Sequence, residues 1–260
     1  MSRIAQTFQS LQNRKALIPY ITAGDPNLET TLELMHSLAA NGADIIELGV
    51  PFSDPMSDGP TIQRAAERAL ANGVSLADVL ETVRRFRQSN QSTPVVLMGY
   101  LNPIHKMGYE PFARAAKAAG VDGVLTVDSP IETVAPLHNA LKAAGLDTIF
   151  LVAPTTGKER MAEIAKLASG FVYYVSLKGV TGSASLNTAE VAEKVAVLRR
   201  HVPLPICVGF GISDAESARQ IAAVADGVVI GSRIVKEIEA NPGREAEAAG
   251  KLVKSLKEAV

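Results

Sequence analysis

The stretch Asp44-Ile45-Ile46-Glu47-Leu48-Gly49-Val50, running on into Pro51-Phe52-Ser53-Asp54-Pro55-Met56-Ser57-Asp58-Gly59-Pro60, decides how the rest of the chain is read. Its first seven residues are mostly apolar, too few for an ordinary globular helix and right for a strand covered on both faces. The run stops at proline and enters a loop of Pro, Ser, Asp and Gly, the residues that turns favour. Helix-like sequence lies on either side, at residues 28–41 with Gly42 behind them and at residues 61–87. A turn accounts for the loop but not for Glu47. An acid inside a buried strand is costly unless it is paired or its raised pKa is useful. With Asp54 and Asp58 close behind, two or three carboxylates gather at one strand end, the raw material of proton transfer.

The same unit recurs along the chain. Strand-length apolar runs fall at residues 16–21, 44–50, 94–98, 123–127, 148–152, 171–175, 204–208 and 227–230. Amphipathic stretches at 28–41, 61–87, 109–120, 131–145, 158–169, 188–201 and 214–225 lie between them. Gly42, Gly120, Gly145 and Gly170 follow helical stretches, as left-handed caps do, and Asn27 and Ser213 stand where N-cap oxygens are expected. Strand then helix, repeated with no charge block or flexible linker, predicts an α/β fold: a (β/α)8 TIM barrel, one domain over residues 1–260. The competing doubly wound sheet usually has fewer strands and a glycine-rich turn after the first. Here that strand ends in Thr22-Ala23-Gly24-Asp25-Pro26, without GxGxxG. Residues 1–13, with Ile4, Phe8 and Leu11 at helix spacing, form an extra N-terminal helix placed to plug the bottom of the barrel.

Composition narrows the class of function. Of 260 residues, 47% are hydrophobic and 20% charged, as suits a packed globular protein. The 26 basic and 27 acidic residues nearly cancel, with no basic run longer than Arg84-Arg85 or Arg199-Arg200, which argues against nucleic acid as a partner. The single cysteine, Cys207, sits in an apolar run and reads as core rather than nucleophile. No window has the apolar length of a membrane span, and the first residues lack the apolar segment of a signal peptide, so a cytoplasmic protein without membrane attachment is expected.

In a barrel, chemistry sits at the C-terminal ends of the strands and in the loops that follow. Those ends carry Glu47 with Asp54 and Asp58, then Tyr100 and Asn102, Asp128, Tyr173, Gly209 with Gly211, and Gly231-Ser232. Glycines after the last two strands, with Gly231-Ser232 opening a helix, suit a phosphate: backbone N–H groups can approach the anion and the helix dipole favours its charge. Residues 176–186 read as a lid over the substrate or as a plain solvated loop. Within them Lys178 could form a Schiff base, though a solvated lysine fits as well. Tyr173 faces inward by alternation and either lines the pocket or fills the core. Asp128 is a candidate charge at the N-terminus of the helix beginning near Ser129-Pro130. His36, His105, His138 and His201 fall in helical or loop stretches rather than in pairs at strand ends, so no metal site is expected.

Five segments together resemble one family. They are Ile18-Pro19-Tyr20-Ile21-Thr22-Ala23-Gly24-Asp25-Pro26, Glu47 through Pro55, Asp58-Gly59-Pro60-Thr61-Ile62-Gln63, Gly179-Val180-Thr181-Gly182 and Gly209-Phe210-Gly211-Ile212-Ser213. In order and spacing they resemble the tryptophan synthase alpha subunit family over nearly the whole chain. The resemblance implies a (β/α)8 lyase that splits indole-3-glycerol phosphate by a retro-aldol step into indole and glyceraldehyde 3-phosphate. It implies that Glu47 is the acid/base and that Asp58 accepts a hydrogen bond from the indole N–H. It implies that Thr181 in the lid meets Asp58, and that Gly182, Gly211, Gly231 and Ser232 hold the phosphate. Tyr100, Leu125, Tyr173 and Phe210 would line the indole pocket. No cofactor is implied in this chain; pyridoxal phosphate (PLP) belongs to a beta subunit that receives the indole in an alpha2beta2 heterotetramer. Asp54 and an Asn102-Pro103 loop would face that partner. Met56-Ser57 stands where the family commonly has Leu-Ala, and Ser176-Leu177-Lys178 where some members carry arginine. Rival readings are a Schiff-base aldolase using Lys178 and a non-catalytic, phosphate-ligand-binding regulatory subunit.

Overall fold

The computed structural model describes residues 1–175, 188–209 and 211–260. Its strands are β1 (Ala16–Thr22), β2 (Ile46–Gly49), β3 (Val95–Gly99), β4 (Gly123–Thr126), β5 (Asp147–Val152), β6 (Val172–Val175), β7 (Ile206–Gly209) and β8 (Gly227–Ile230). All are parallel, each hydrogen-bonded to the next, and β8 closes on β1. The helices up to the middle of the chain are α1 (Arg3–Leu11), α2 (Leu28–Ala40), α3 (Pro60–Ala71), α4 (Leu76–Phe86), α5 (Leu101–Met107) and α6 (Tyr109–Ala119). After them come α7 (Ala135–Ala143), α8 (Lys158–Leu167), α9 (Thr188–Leu198), α10 (Ala215–Ala222), α11 (Ser232–Ala240) and α12 (Glu245–Lys257). The architecture is the expected TIM barrel with an N-terminal helix added.

Strand pleating sorts side chains into two cores. On β1, Leu17 and Ile21 point out to the helices, whereas Ala16 and Ile18 point into the barrel with Ile45, Val96, Leu125, Ile149, Phe171, Cys207 and Val229. Ile4 and Leu11 of α1 belong to that inner core, and Phe8 packs on it with its ring centroid 6.1 Å from that of Phe171. The extra helix therefore closes the barrel from below. Functional groups are left to the other end.

The bottom rim carries a clasp repeated at every second strand. The N–H of Leu17 donates to Asp44 Oδ2 at 2.7 Å, while the N–H of Asp44 donates back to the Leu17 carbonyl. Val95 and Asp122 repeat this on β3, Thr148 and Ser169 on β5, and Ile206 and Asp226 on β7. Each clasp satisfies a strand-end amide that would otherwise lie unpaired. Asp122 does more. Its carboxylate also accepts from Arg87 at 2.7 Å and from Arg3 of α1 at 2.8 Å, and Arg87 is itself buried.

Four local features differ from the sequence reading. The stretch 61–87 is two helices, because Gly73 adopts φ 74° and Ser75 starts α4 with a capping box to Asp78. Asp214 rather than Ser213 caps α10. The Asn102-Pro103 pair lies in α5 rather than a loop; Pro103 occupies the first turn, where no N–H is required. Helix α12 was not anticipated. It packs on α2 through Gly250, where an added Cβ would fall 2.3 Å from Ser37 Oγ, so its one interior glycine is what lets the two helices approach. The cap at Asn27, which accepts from the N–H of Thr30, is as expected.

Removing Asp122 strands a buried guanidinium, whereas removing Arg3 frees a partly exposed one. Asp122→Ala should lower unfolding stability by roughly 3–5 kcal/mol and Arg3→Ala by about 1 kcal/mol or less, read as urea midpoints. Equal small effects would show that the clasp does not carry the rim.

Candidate active site

Glu47 stands on the inner face of β2, since Ile46 and Leu48 point outward and Ile45 points in. It is 1% exposed, and its Oε1 has no hydrogen-bond partner. Burial, then the nearby charge of Asp58, pushes its carboxyl up to about 8. At neutral pH it holds its proton. A buried acid without a partner is destabilising, and such groups concentrate where a proton is to be moved.

Asp58 comes from the β2–α3 loop, one residue before the N-cap Gly59. The loop is pinned by the Asp58 N–H donating to the Pro55 carbonyl at 3.0 Å and by Gln63 Nε2 donating to the Asp58 carbonyl at 2.8 Å. Tyr100 donates its hydroxyl to Asp58 Oδ2 at 3.0 Å and accepts the Ser57 N–H at the same distance. Phe52 stacks on Tyr100 with centroids 5.1 Å apart. Burial raises the Asp58 carboxyl and the Tyr100 hydrogen bond opposes that rise. The two acids thus sit in unlike settings, one dry and unpartnered, the other hydrogen-bonded, which is how one site separates a proton donor from a charge stabiliser.

Both acids line a concavity at the C-terminal end of the barrel, with Tyr20, Gly59, Ile62, Met98, Tyr173, Gly211, Ile212, Val229, Gly231 and Ser232. Gly231 and Ser232 line the same cavity at the start of α11, and no side chain caps that helix, so its first amides are unblocked by a cap. Gly211 adopts φ 76° beside it. An apolar wall, two acids and a helix N-terminus in one cavity suit a ligand with a flat apolar ring and a phosphate.

Several expected residues land elsewhere. Asp54 is exposed and bonded to Ser53, so two carboxylates, not three, share the cavity. Leu125 is buried in the inner core beneath the cavity rather than on its wall. Tyr173 lines the wall, and Gly209 makes room for that side chain: a Cβ on Gly209 would fall 2.1 Å from the Tyr173 hydroxyl. Asp128 accepts from the N–H of Leu101 and so caps α5, not the helix after it. Cys207 is fully buried inside the barrel. Lys178, Thr181, Gly182 and Phe210 lie outside the described residues. Among the described residues no cluster of His, Cys, Asp and Glu could hold a metal ion, and no helix is long and apolar enough to cross a membrane. The sequence reading passed over Tyr20, Ile62 and Met98; inward alternation along β1 from Ala16 and Ile18 was the available signal for Tyr20.

Residues 7–260 match the family described as tryptophan synthase alpha chain. The chain is 67% identical over 260 residues to the tryptophan synthase alpha chain of Neisseria meningitidis serogroup A, covering all of both chains. Its fold superposes on tryptophan synthase subunit alpha from Legionella pneumophila with a TM-score of 0.94 at 45% identity, over 100% of this chain and 98% of that one. A chain of the tryptophan synthase complex from Pyrococcus furiosus matches with a TM-score of 0.85 at 38% identity, over 94% and 98% of the two chains.

The raised carboxyl at Glu47 has a consequence for stability. Between its ordinary value near 4.5 and about 8, the folded chain keeps a proton that the unfolded chain has released. Wild-type stability therefore declines as pH rises through that window. Glu47→Gln, which cannot ionise, should be the more stable protein at pH 8, by on the order of 3 kcal/mol, with the gap closing toward pH 4 in thermal unfolding. A gap independent of pH would contradict the desolvated acid.

Proposed function

The chain belongs to the tryptophan synthase alpha chain family, and from that membership we propose that Glu47 and Asp58 carry its lyase chemistry. The enzyme cleaves indole-3-glycerol phosphate to indole and glyceraldehyde 3-phosphate, and PLP belongs to the beta subunit that takes up the indole. The observation that supports the assignment is the pairing of a dry, protonated carboxyl with a hydrogen-bonded one in a single cavity.

The steps close on themselves. Glu47 delivers its proton to C3 of the indole ring, and the carboxylate of Asp58 stabilises the positive charge that appears on the ring N–H. The ring is now the electron sink. Glu47, left as a carboxylate, takes the proton of the chain hydroxyl next to the scissile bond; that carbon becomes an aldehyde, and the bonding pair returns to the ring. Indole leaves and Glu47 is protonated again. The amides at Gly211 and Gly231 and the hydroxyl of Ser232, with Gly182, hold the phosphate, so binding remote from the scissile bond orients it. Thr181 closes on Asp58 from the lid, and Tyr100, Tyr173 and Phe210 surround the ring.

We place this chain in the cytoplasm within an alpha2beta2 heterotetramer. Met56, 83% exposed beside Asp54 on the β2–α3 loop, supports a partner-facing surface there. The same loop carries Asp58, so docking and chemistry share one backbone segment.

Indole release from indole-3-glycerol phosphate tests the assignment. Glu47→Gln and Asp58→Asn should each slow turnover by roughly 10²- to 10⁴-fold while the fold is kept. Turnover within a fewfold of wild type in either variant would remove that residue from the mechanism.

A further inference from the structure

We propose that the Tyr20 hydroxyl reads the substrate, donating a hydrogen bond to a hydroxyl oxygen on the three-carbon chain that links ring to phosphate. This rests on the reaction proposed above and adds a specificity group to it.

Position is the first argument. Tyr20 follows Ala16 and Ile18 on the inner face of β1, and its register partner on β2 is Glu47. Strand β1 lies between β8, whose end leads into Gly231-Ser232, and β2, which carries the acid. The side chain bridges that gap. A Cβ built on Gly231 would lie 3.5 Å from Tyr20 Cβ and Cδ1, and one built on Gly49 would lie 2.1 Å from the Tyr20 hydroxyl. The ring thus begins beside the phosphate-binding turn and its hydroxyl ends over Gly49, two residues beyond Glu47. A ligand with its phosphate at Ser232 and its ring between the carboxylates must lay its connecting chain across this phenol.

Chemistry is the second argument. The hydroxyl meets Thr22 Oγ1 at 3.2 Å, long for a pair of hydroxyls, and a phenol bonded once still has capacity for another partner. Burial first, then the charge of Asp58, keeps the phenol protonated, so it acts as a donor and not as a base. A phenylalanine would supply the same apolar wall. Instead the strand has no side chain at Gly49, and the space admits a phenol oxygen whose single partner, Thr22, leaves it capacity for a second. A chain bearing hydroxyls supplies one.

Two ligands separate reading from packing: indole-3-glycerol phosphate, and an indole-3-alkyl phosphate of equal chain length without hydroxyls. Tyr20→Phe should lower kcat/KM for the first by roughly three- to tenfold and leave the affinity for the second within about twofold of wild type. Thr22→Val, which removes only the phenol's neighbour, should give a smaller loss on the first ligand and none on the second, and thermal unfolding of both variants checks that they fold. Equal losses on both ligands, or none on either, would make Tyr20 a packing residue and overturn the inference. If the wild type releases no indole, the substrate reading fails and takes this inference with it; if it does, the Tyr20→Phe result judges the inference alone.

Discussion

A carboxyl group shut inside a barrel, with no hydrogen bond to one of its oxygens, is the constraint around which this structure is arranged. Glu47 is destabilising where it stands: it is buried, and among the described residues its Oε1 finds no hydrogen-bond partner. Its neighbours across the cavity are a phenol at Tyr20, a second phenol at Tyr173, the thioether of Met98 and the aliphatic walls of Ile62 and Val229. None of these offers a counter-charge. A lysine or arginine there would return the carboxyl to its ordinary range and leave an anion where the proposed reaction requires an acid. The electrostatic character of the site is thus produced by what the barrel leaves out of reach as much as by what it supplies.

Holding such a group requires that the rest of the barrel be closed and stiff. From below, α1 seals the interior with Ile4, Phe8 and Leu11, so water has no entry from that side. Around the rim, the clasps at Asp44, Asp122, Ser169 and Asp226 tie the beginning of each odd strand to the residue leading into the next. At the open end, β2 places Glu47 on the inner face and the following loop brings Asp58 back over it, held through Tyr100, Ser57 and Gln63. Stability and chemistry therefore divide between the two ends of one barrel. The alpha-chain family's hand-over of indole to a beta subunit fits this division, because the loop proposed to face the partner and the strand that carries Glu47 are contiguous.

Much of this was legible in the sequence, and the limits follow physical lines. Glu47 stands out because an acid in an apolar strand has no local explanation, and Asp58 because a loop immediately follows. The eight-unit repeat is visible because each strand must be apolar on both faces. What failed was what depends on distant partners. Asp54 is nearer to Glu47 in sequence than Asp58 is but turns to solvent beside Ser53. The Asn102-Pro103 pair looked like a loop because proline breaks helices, yet in a first turn it does not. That Gly209 also seats the Tyr173 hydroxyl depends on a strand more than thirty residues earlier. The rim carboxylates meet their backbone partners 20 or more residues away, across a neighbouring strand, so their role appears only once the barrel is closed. Tyr20 was within reach, since alternation alone points it into the barrel; an aromatic among apolar residues simply draws no notice.

The protonation state of Glu47 is the claim on which all of this turns, and it is directly observable. Carboxyl carbon shifts of 13C-glutamate-labelled protein, titrated by NMR and assigned by comparison with Glu47→Gln, should show one resonance with a midpoint of about 8 that is absent from the variant. A Glu47 midpoint near the ordinary 4.5 would mean that the group is an anion at neutral pH. The cavity would then hold two carboxylates and no acid, contradicting the account.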